Sequence, residues 1–345
     1  MRWLKTAMLT IGVLALGVVG YYGYSFYDFF NENQDDSRFA QFNTQPSGTA
    51  KAQEVAYVPP KWEGTERVNI LLLGGDSRGL AKNQVPRSDT IMIASLDPVT
   101  KKAHLFSLLR DTYVRIPEHG SDRVNTALVL GGPHLAMRTV GELTGLDIQY
   151  YVYTDFEGFI HLIDEIGGIE FYVEKDMKYT TKADGPEYDI NLKEGLQHMD
   201  GRTALQYVRF RHDALSDFSR TERQRKFMTA VAQKLQTSTS LFRLPQILAA
   251  IDPYIESNLT VTEMLKLGAL GFEAKANEVV GLQLPPPELL REDNVGGASV
   301  LTVDPDDLKE YIEEKFAEAA APAEEPAVDP SDAALGDEPG SGSDG

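Results

Sequence analysis

The sequence predicts an α/β fold of the α+β type, a mixed central sheet flanked by helices within one domain over residues 62–316. Three observations lead there. Short apolar runs at Val68–Leu73, Ile91–Leu96 and Ala103–Leu109 have the length and turn punctuation of buried strands. Segments with apolar residues three and four apart follow, at Asn125–Leu143 and Phe156–Ile166. The two kinds of element then mix without strict alternation, and no linker-like stretch divides them.

Ahead of the domain, Ala7–Gly23 is uncharged and rich in Leu, Val, Ile, Ala and Gly, with Tyr21, Tyr22, Tyr24, Phe26 and Tyr27 as an aromatic belt. At about 1.5 Å per residue it is just long enough to cross hydrocarbon. Arg2 and Lys5 precede it, and Asp28, Glu32, Asp35 and Asp36 follow. That bias assigns residues 1–6 to a short cytoplasmic tail, residues 7–27 to a transmembrane anchor, and the rest to the outside of the cell membrane. A cleaved signal peptide is the competing reading, but bulky Tyr and Phe stand where a small-x-small cleavage site belongs, which favours a signal-anchor.

Residues 28–61, rich in Gln, Asn, Ser and Pro, read as a juxtamembrane linker. Residues 317–345 hold eight acids and no bases among Ala, Pro, Gly and Ser, the composition of a disordered tail. Those eight acids account for much of the net charge of -19, so overall acidity says little about the domain's ligand. Nucleic acid is not an expected partner. With no cysteine, the domain must rest on its own core.

Within the domain, Gly74-Gly75 ends the first strand and Asp97-Pro98 turns the second into the third. Gly131-Gly132-Pro133 breaks the start of the helix at 125–143. Gly167-Gly168 caps the end of the helix at 156–166 before a strand at Gly168–Val173. Leu244–Tyr254 is a further apolar segment, Thr260 and Glu263 form a capping pattern that opens a helix, and Leu308–Phe316 closes the domain.

Arg202, Arg209, Arg211, Arg220, Arg223, Arg225 and Lys226 gather in one stretch of an acidic chain, a density that suits an anion with several oxygens. A period of two puts Tyr207, Arg209 and Arg211 on one face of a strand. Ser219 and Glu222 form a capping box, so a helix is expected from about Ser219 with Arg220 and Arg223 in its first turn. Positive charge there opposes the macrodipole, and an anion would satisfy both arginines and the turn's N–H groups. The alternative is simple pairing of these arginines with Asp213, Asp217 and Glu222.

Two acidic runs lie at strand ends, Gly74-Gly75-Asp76-Ser77-Arg78 and Arg87-Ser88-Asp89-Thr90. If the strands are neighbours, Asp76 and Asp89 face one space, where two carboxylates repel unless a cation separates them. All-oxygen ligands indicate magnesium, and Arg78, Arg87 and Arg110 would add a phosphate-binding flank. Ordinary turn chemistry is the alternative. The histidines show no zinc spacing, and neither a nucleophile elbow nor a Walker loop occurs.

The series G-G-D-S-R, R-S-D-T, L-L-R-D-T, R-V-N-T-A, D-F-E-G-F, D-E-I-G-G, L-x-G-R-T-A-L-Q-Y-V-R-F-R-H-D and D-F-S-R-T-E-R-Q, in that order over residues 66–235, resembles the LytR-CpsA-Psr family of wall-assembly phosphotransferases. The resemblance implies transfer of a teichoic acid or capsular polysaccharide from a polyprenyl pyrophosphate carrier to a peptidoglycan acceptor. It implies that Asp76 and Asp89 hold magnesium, while Arg87, Arg110, Arg209, Arg211, Arg220 and Gln224 surround the pyrophosphate. Arg78, Arg123, Asn125 and Arg223 are implied in support. An apolar sheath for the polyprenyl chain is also implied; Phe156, Phe159, Ile160 and Ile163 are candidate walls, or else plain core. Gly75 and Leu109 depart from the family's usual Thr and Pro. A hydrolase using water as acceptor, or a non-enzymatic wall-binding regulator, would draw on the same residues.

Overall fold

A computed structural model describes residues 37–43, 57–81, 84–180, 185–212, 216–274 and 279–320. Its strands are β1 (Val68–Gly75), β2 (Ser88–Leu96), β3 (Ala103–Leu108), β4 (Tyr113–Ile116), β5 (Gly120–Arg123), β6 (Tyr150–Asp155), β7 (Ile169–Val173), β8 (Met177–Tyr179), β9 (Ile190–Leu192), β10 (Gly195–Met199), β11 (Ile255–Ser257), β12 (Val280–Leu284), β13 (Arg291–Val295) and β14 (Ala298–Thr302). Its helices are α1 (Ala40–Asn43), α2 (Ala127–Thr144), α3 (Phe156–Glu165), α4 (Gly201–Arg209), α5 (Ser216–Leu235), α6 (Ser238–Ile251), α7 (Val261–Glu273) and α8 (Pro305–Ala320).

Six strands form the central sheet in the order β11-β6-β1-β2-β3-β12. β1 runs parallel to β6 and antiparallel to β2, and β3 runs parallel to β12, so the sheet is mixed as expected. The strands expected at Val68–Leu73, Ile91–Leu96, Ala103–Leu109 and Gly168–Val173 are present, β1 and β2 being longer than their apolar runs, so that Asp89 lies within β2 rather than before it. The carboxyl ends of β1, β3, β6 and β12 therefore share one edge with the start of β2. Ligand sites of α/β sheets favour such an edge.

Side chains alternate across the sheet. Leu71, Leu73, Ile91, Ile93, Phe106 and Leu108 bury against α2 and α8 in one core. A second core joins α3, α4, α5 and α6 with β7 to β10. As the glycines indicate, the helix after β5 is broken: Gly131 and Gly132 leave helical geometry, Gly132 with a φ of 68°. Thr260 and Glu263 form the expected capping box of α7, and α3 ends at Gly167-Gly168, both at positive φ.

Two expectations fail near the arginines. Tyr207–Arg211 is not a strand; residues 201–209 are helix α4, capped by Asp200, whose side chain accepts a hydrogen bond from Thr203 N at 2.8 Å. Ala204, Leu205 and Val208 bury at helical spacing, and five residues read at a period of two miss the cap upstream. Likewise α5 opens at Ser216 rather than Ser219, so Arg220 and Arg223 lie beyond its first turn and its orphan N–H groups are not theirs.

The anchor expected over residues 7–27, the tail over 1–6 and nearly all of the acidic tail lie outside the described residues. No helix among the described residues is long and apolar enough to cross a membrane. The expected linker is in part packed structure: Phe39 is 1% exposed, edge-on to Tyr151 and Tyr153 with ring centroids 6.4 and 5.1 Å away.

Candidate active site

At the common strand edge a cavity of about 510 Å³ opens between the sheet and helices α3, α4 and α5. Its interior is apolar. Leu72, Met92 and Val152 contribute from the sheet face opposite the first core, and Phe159, Leu162, Leu205, Val208 and Met228 from the helices. Its mouth is charged, with Asp76, Arg78, Asp89, Arg110, Arg209, Arg211, His212, Arg220 and Gln224 around it. Sequence placed Asp76, Asp89, Arg78, Arg110, Arg209, Arg211, Arg220 and Gln224 together, and the fold does bring them to one opening.

Asp76 extends from the end of β1 and accepts from Arg78, whose Nε lies 2.8 Å from Oδ1 and whose Nη2 lies 2.5 Å from Oδ2. Burial would raise the Asp76 carboxyl, but these hydrogen bonds and the Arg78 and Arg209 charges outweigh it and hold the group below its usual value. Arg78 and Arg209 also share aromatic faces. Arg78 lies 4.2 Å from the Tyr188 ring centroid and 5.1 Å from that of Phe156, and Arg209 lies 5.3 and 5.1 Å from the same rings.

Across the mouth, Arg110 donates to the Asp89 carboxylate and lies 3.8 Å from Asp217. Asp217 also pairs with Arg220 at 2.5 Å, so part of the simple-pairing alternative holds here. Burial works to lower the Arg110 pKa, yet Asp89, Asp217 and Asp111 raise it above its usual value. Arg220 is shifted the other way, chiefly by burial and further by the Arg110 and Arg211 charges. The Nε atoms of Arg110 and Arg220 and the Oε1 of Gln224 are buried without a hydrogen-bond partner among the described residues. The two Nε donors lack acceptor oxygens of the kind a phosphate carries, whereas Gln224 Oε1 is itself an acceptor and calls for a donor.

Other expected members lie apart. Arg87 is exposed and does not line the cavity. Arg123 pairs with Asp111 at 3.4 Å, and Asn125 is buried beneath Arg110, its backbone N–H donating to the Arg110 carbonyl at 3.3 Å. Arg223 turns to Glu174 at 2.7 Å and to the Phe210 carbonyl at 2.9 Å. Of the candidate apolar walls, Phe156 and Phe159 line the cavity, whereas Ile160 and Ile163 bury in the second core on the other side of α3. Leu162, Val208 and Met228 went unforeseen; on helices with apolar residues on more than one side, sequence does not say which side meets the sheet. Asp217 was foreseen only as a possible arginine partner.

Asp76 and Asp89 offer only oxygen, as magnesium prefers, and no group of three or more His, Cys, Asp or Glu able to hold a metal occurs among the described residues. Magnesium commonly takes one or two carboxylates and completes its shell with water and phosphate oxygens. Two aspartates are a donor set of the kind that ion accepts alongside a phosphate ligand, and here both carboxylates are engaged by arginines, Asp76 by Arg78 and Asp89 by Arg110.

The molecule is thus a mixed α/β protein with a charged cavity mouth and an apolar cavity interior at one edge of its sheet. The LytR_cpsA_psr family model matches residues 27–317, and the chain belongs to that family. The regulatory protein MsrR of Staphylococcus aureus (strain COL) is 32% identical over 230 residues, 66% of either chain. The polyisoprenyl-teichoic acid--peptidoglycan teichoic acid transferase TagU of Bacillus mycoides (strain KBAB4) is 32% identical over 259 residues, 74% of this chain and 79% of that one. Among solved structures, B. subtilis TagV has a TM-score of 0.62 at 25% identity, with 74% of this chain and 97% of that one covered. TagT bound to LI-WTA has a TM-score of 0.58 at 25% identity, with 78% and 97% covered.

Proposed function

We propose that this chain transfers an anionic glycopolymer, of the teichoic acid or capsular polysaccharide type, from a polyprenyl pyrophosphate carrier to peptidoglycan through a phosphodiester bond. The observation that carries this reading is the continuity of one cavity from guanidinium mouth to apolar interior. A free nucleotide or sugar phosphate would use only the mouth, whereas an isoprenoid diphosphate uses both ends. The transferase name borne by TagU supports the same reading.

In the proposed reaction a peptidoglycan hydroxyl attacks the sugar-linked phosphorus, the bond from that phosphorus to the bridging oxygen breaks, and polyprenyl phosphate leaves with the electron pair. Arg110, Arg209, Arg211 and Arg220 neutralise charge that grows on the diphosphate oxygens. The hydroxyl proton passes to Asp89, whose carboxylate accepts from Arg110 through one oxygen, both Asp76 oxygens being taken by Arg78. Asp76 and Asp89 would also hold magnesium, which when bound supplies further charge neutralisation. Leu72, Met92, Phe159 and Met228 shelter the isoprenoid from water. The apolar run Ala7–Gly23 would tether the domain to the membrane that holds the carrier, with the N-terminus cytoplasmic.

The test is incubation with a labelled lipid-linked donor, with and without peptidoglycan. Label should move to peptidoglycan; release of free glycan phosphate at a rate indifferent to acceptor would identify a hydrolase instead. The name of MsrR favours a second, regulatory reading. Loss of function in Asp76→Ala with Asp89→Ala supports catalysis, and full function in that double variant supports the regulator.

A further inference from the structure

The packed segment ahead of β1 touches the site by two routes. Arg38 Nη2 lies 3.7 Å from Asp155 Oδ2, and its Nη1 donates to the Gln84 carbonyl at 3.3 Å, within the loop joining Asp76 to Asp89. Asp155 in turn ties two parts of the site together. Its Oδ2 accepts from Ser77 Oγ at 2.5 Å, directly between Asp76 and Arg78, and its Oδ1 accepts from Gly158 N at 3.1 Å, capping α3. Phe39 provides the second route. It packs edge-on to Tyr153, whose hydroxyl stands 2.7 Å from where a Cβ on Gly75 would be. Ser37 and the Arg38 backbone N–H both donate to the Glu256 carboxylate, which fixes the segment to β11.

We propose that residues 37–43 are a positioning element of the active site, with Arg38 acting through Asp155 and Ser77, and Phe39 through Tyr153 and Gly75, to hold the Asp76 carboxylate and Arg78 in place. The segment that leads in from the N-terminus is then part of the site rather than a tether. As far as turnover is concerned, this rests on the proposed transfer reaction.

The experiment compares the full-length chain with its Arg38→Ala, Arg38→Lys and Phe39→Ala variants by amide hydrogen exchange and by calorimetric titration with inorganic pyrophosphate in the presence of magnesium. In Arg38→Ala the amides of Arg78, Leu80 and Gly158 should exchange at least about tenfold faster while those of α2 and α8 keep their rates, and in Phe39→Ala, which also opens the core shared with α2 and α8, those three amides should accelerate more than the α2 and α8 amides do. Pyrophosphate affinity should fall about tenfold in both, and Arg38→Lys should recover most of that loss. Unchanged exchange at the three amides, or equal acceleration across α2 and α8, would overturn the proposal. So would local acceleration with wild-type pyrophosphate affinity. Should the wild-type chain itself fail to bind pyrophosphate, the transfer reading falls, and the exchange pattern alone decides the positioning claim.

Discussion

Replacing Arg220 with alanine separates the chemistry of the mouth from its stability. The side chain is 6% exposed and lies 2.5 Å from Asp217, which is 23% exposed. Breaking a buried pair costs about 3–5 kcal/mol when it leaves a charge stranded. Here Asp217 reaches solvent and keeps Arg110 at 3.8 Å, so the folding cost falls to about 1–2 kcal/mol. The reaction has no such substitute, because Arg220 lines the cavity mouth where the proposed diphosphate would sit. Losing one preorganised donor to developing charge lowers kcat about 100–1,000-fold, about 3–4 kcal/mol. The kinetic loss should therefore exceed the stability loss by about 2 kcal/mol. Arg220→Lys retains charge but not the planar fork, and a loss of about tenfold is expected. Single-turnover transfer from a labelled lipid-linked donor, run beside thermal melts, reads both quantities. A kcat within about threefold of wild type in Arg220→Ala would refute this placement of the diphosphate.

Three further outcomes follow from the geometry. The folded pKa of Asp76 is depressed, so its pairing with Arg78 contributes fully above the unfolded carboxylate value of about 3.9 and is lost as pH falls through the folded value. Asp76→Asn should therefore be less stable than wild type at pH 7, with the gap closing below about pH 4 in chemical denaturation. His104 is buried, stacked on Phe106 at 5.7 Å, and its pKa is lowered to about 4 by burial and then by the Arg67 charge. Since the unfolded state binds its proton more tightly, stability should fall by up to roughly 3 kcal/mol between about pH 6.5 and 4, and His104→Phe should flatten that decline. A Cβ on Gly75 would meet Tyr153 Oη at 2.7 Å and Pro86 Cγ at 2.8 Å. Gly75→Ala should cost about 1–3 kcal/mol, and Tyr153→Phe should recover part of it in a double-mutant cycle.

How far the residues alone carried the fold depended on whether their signals were local. β1, β2 and β3 announce themselves as apolar runs bounded by Gly-Gly and Asp-Pro, and α7 by its capping box, because those signals are complete within a few residues. β6 and β12 went unrecognised, their positions in the sheet being set by neighbours distant in sequence. The arginine cluster was evident as chemistry, but Arg209 and Arg211 were assigned to a strand, and the helix that does carry Arg220 and Arg223 was started three residues late. Arg209 ends a helix whose cap, Asp200, stands nine residues earlier. The cavity was hidden for a related reason: Phe159 and Ile160 are adjacent and both apolar, and only the packing of α3 against the sheet decides that one lines the cavity and the other the core. Residues 37–43 carry no periodicity, so nothing short of the folded chain reveals that Phe39 is buried.

The most direct measurement is a crystal or cryo-EM map of the protein with a short-chain polyprenyl pyrophosphate. The diphosphate is expected among Arg110, Arg209, Arg211 and Arg220 with its isoprenoid running along Leu72, Met92, Phe159 and Met228. A head group bound elsewhere, or a chain lying outside the cavity, would contradict the proposed function.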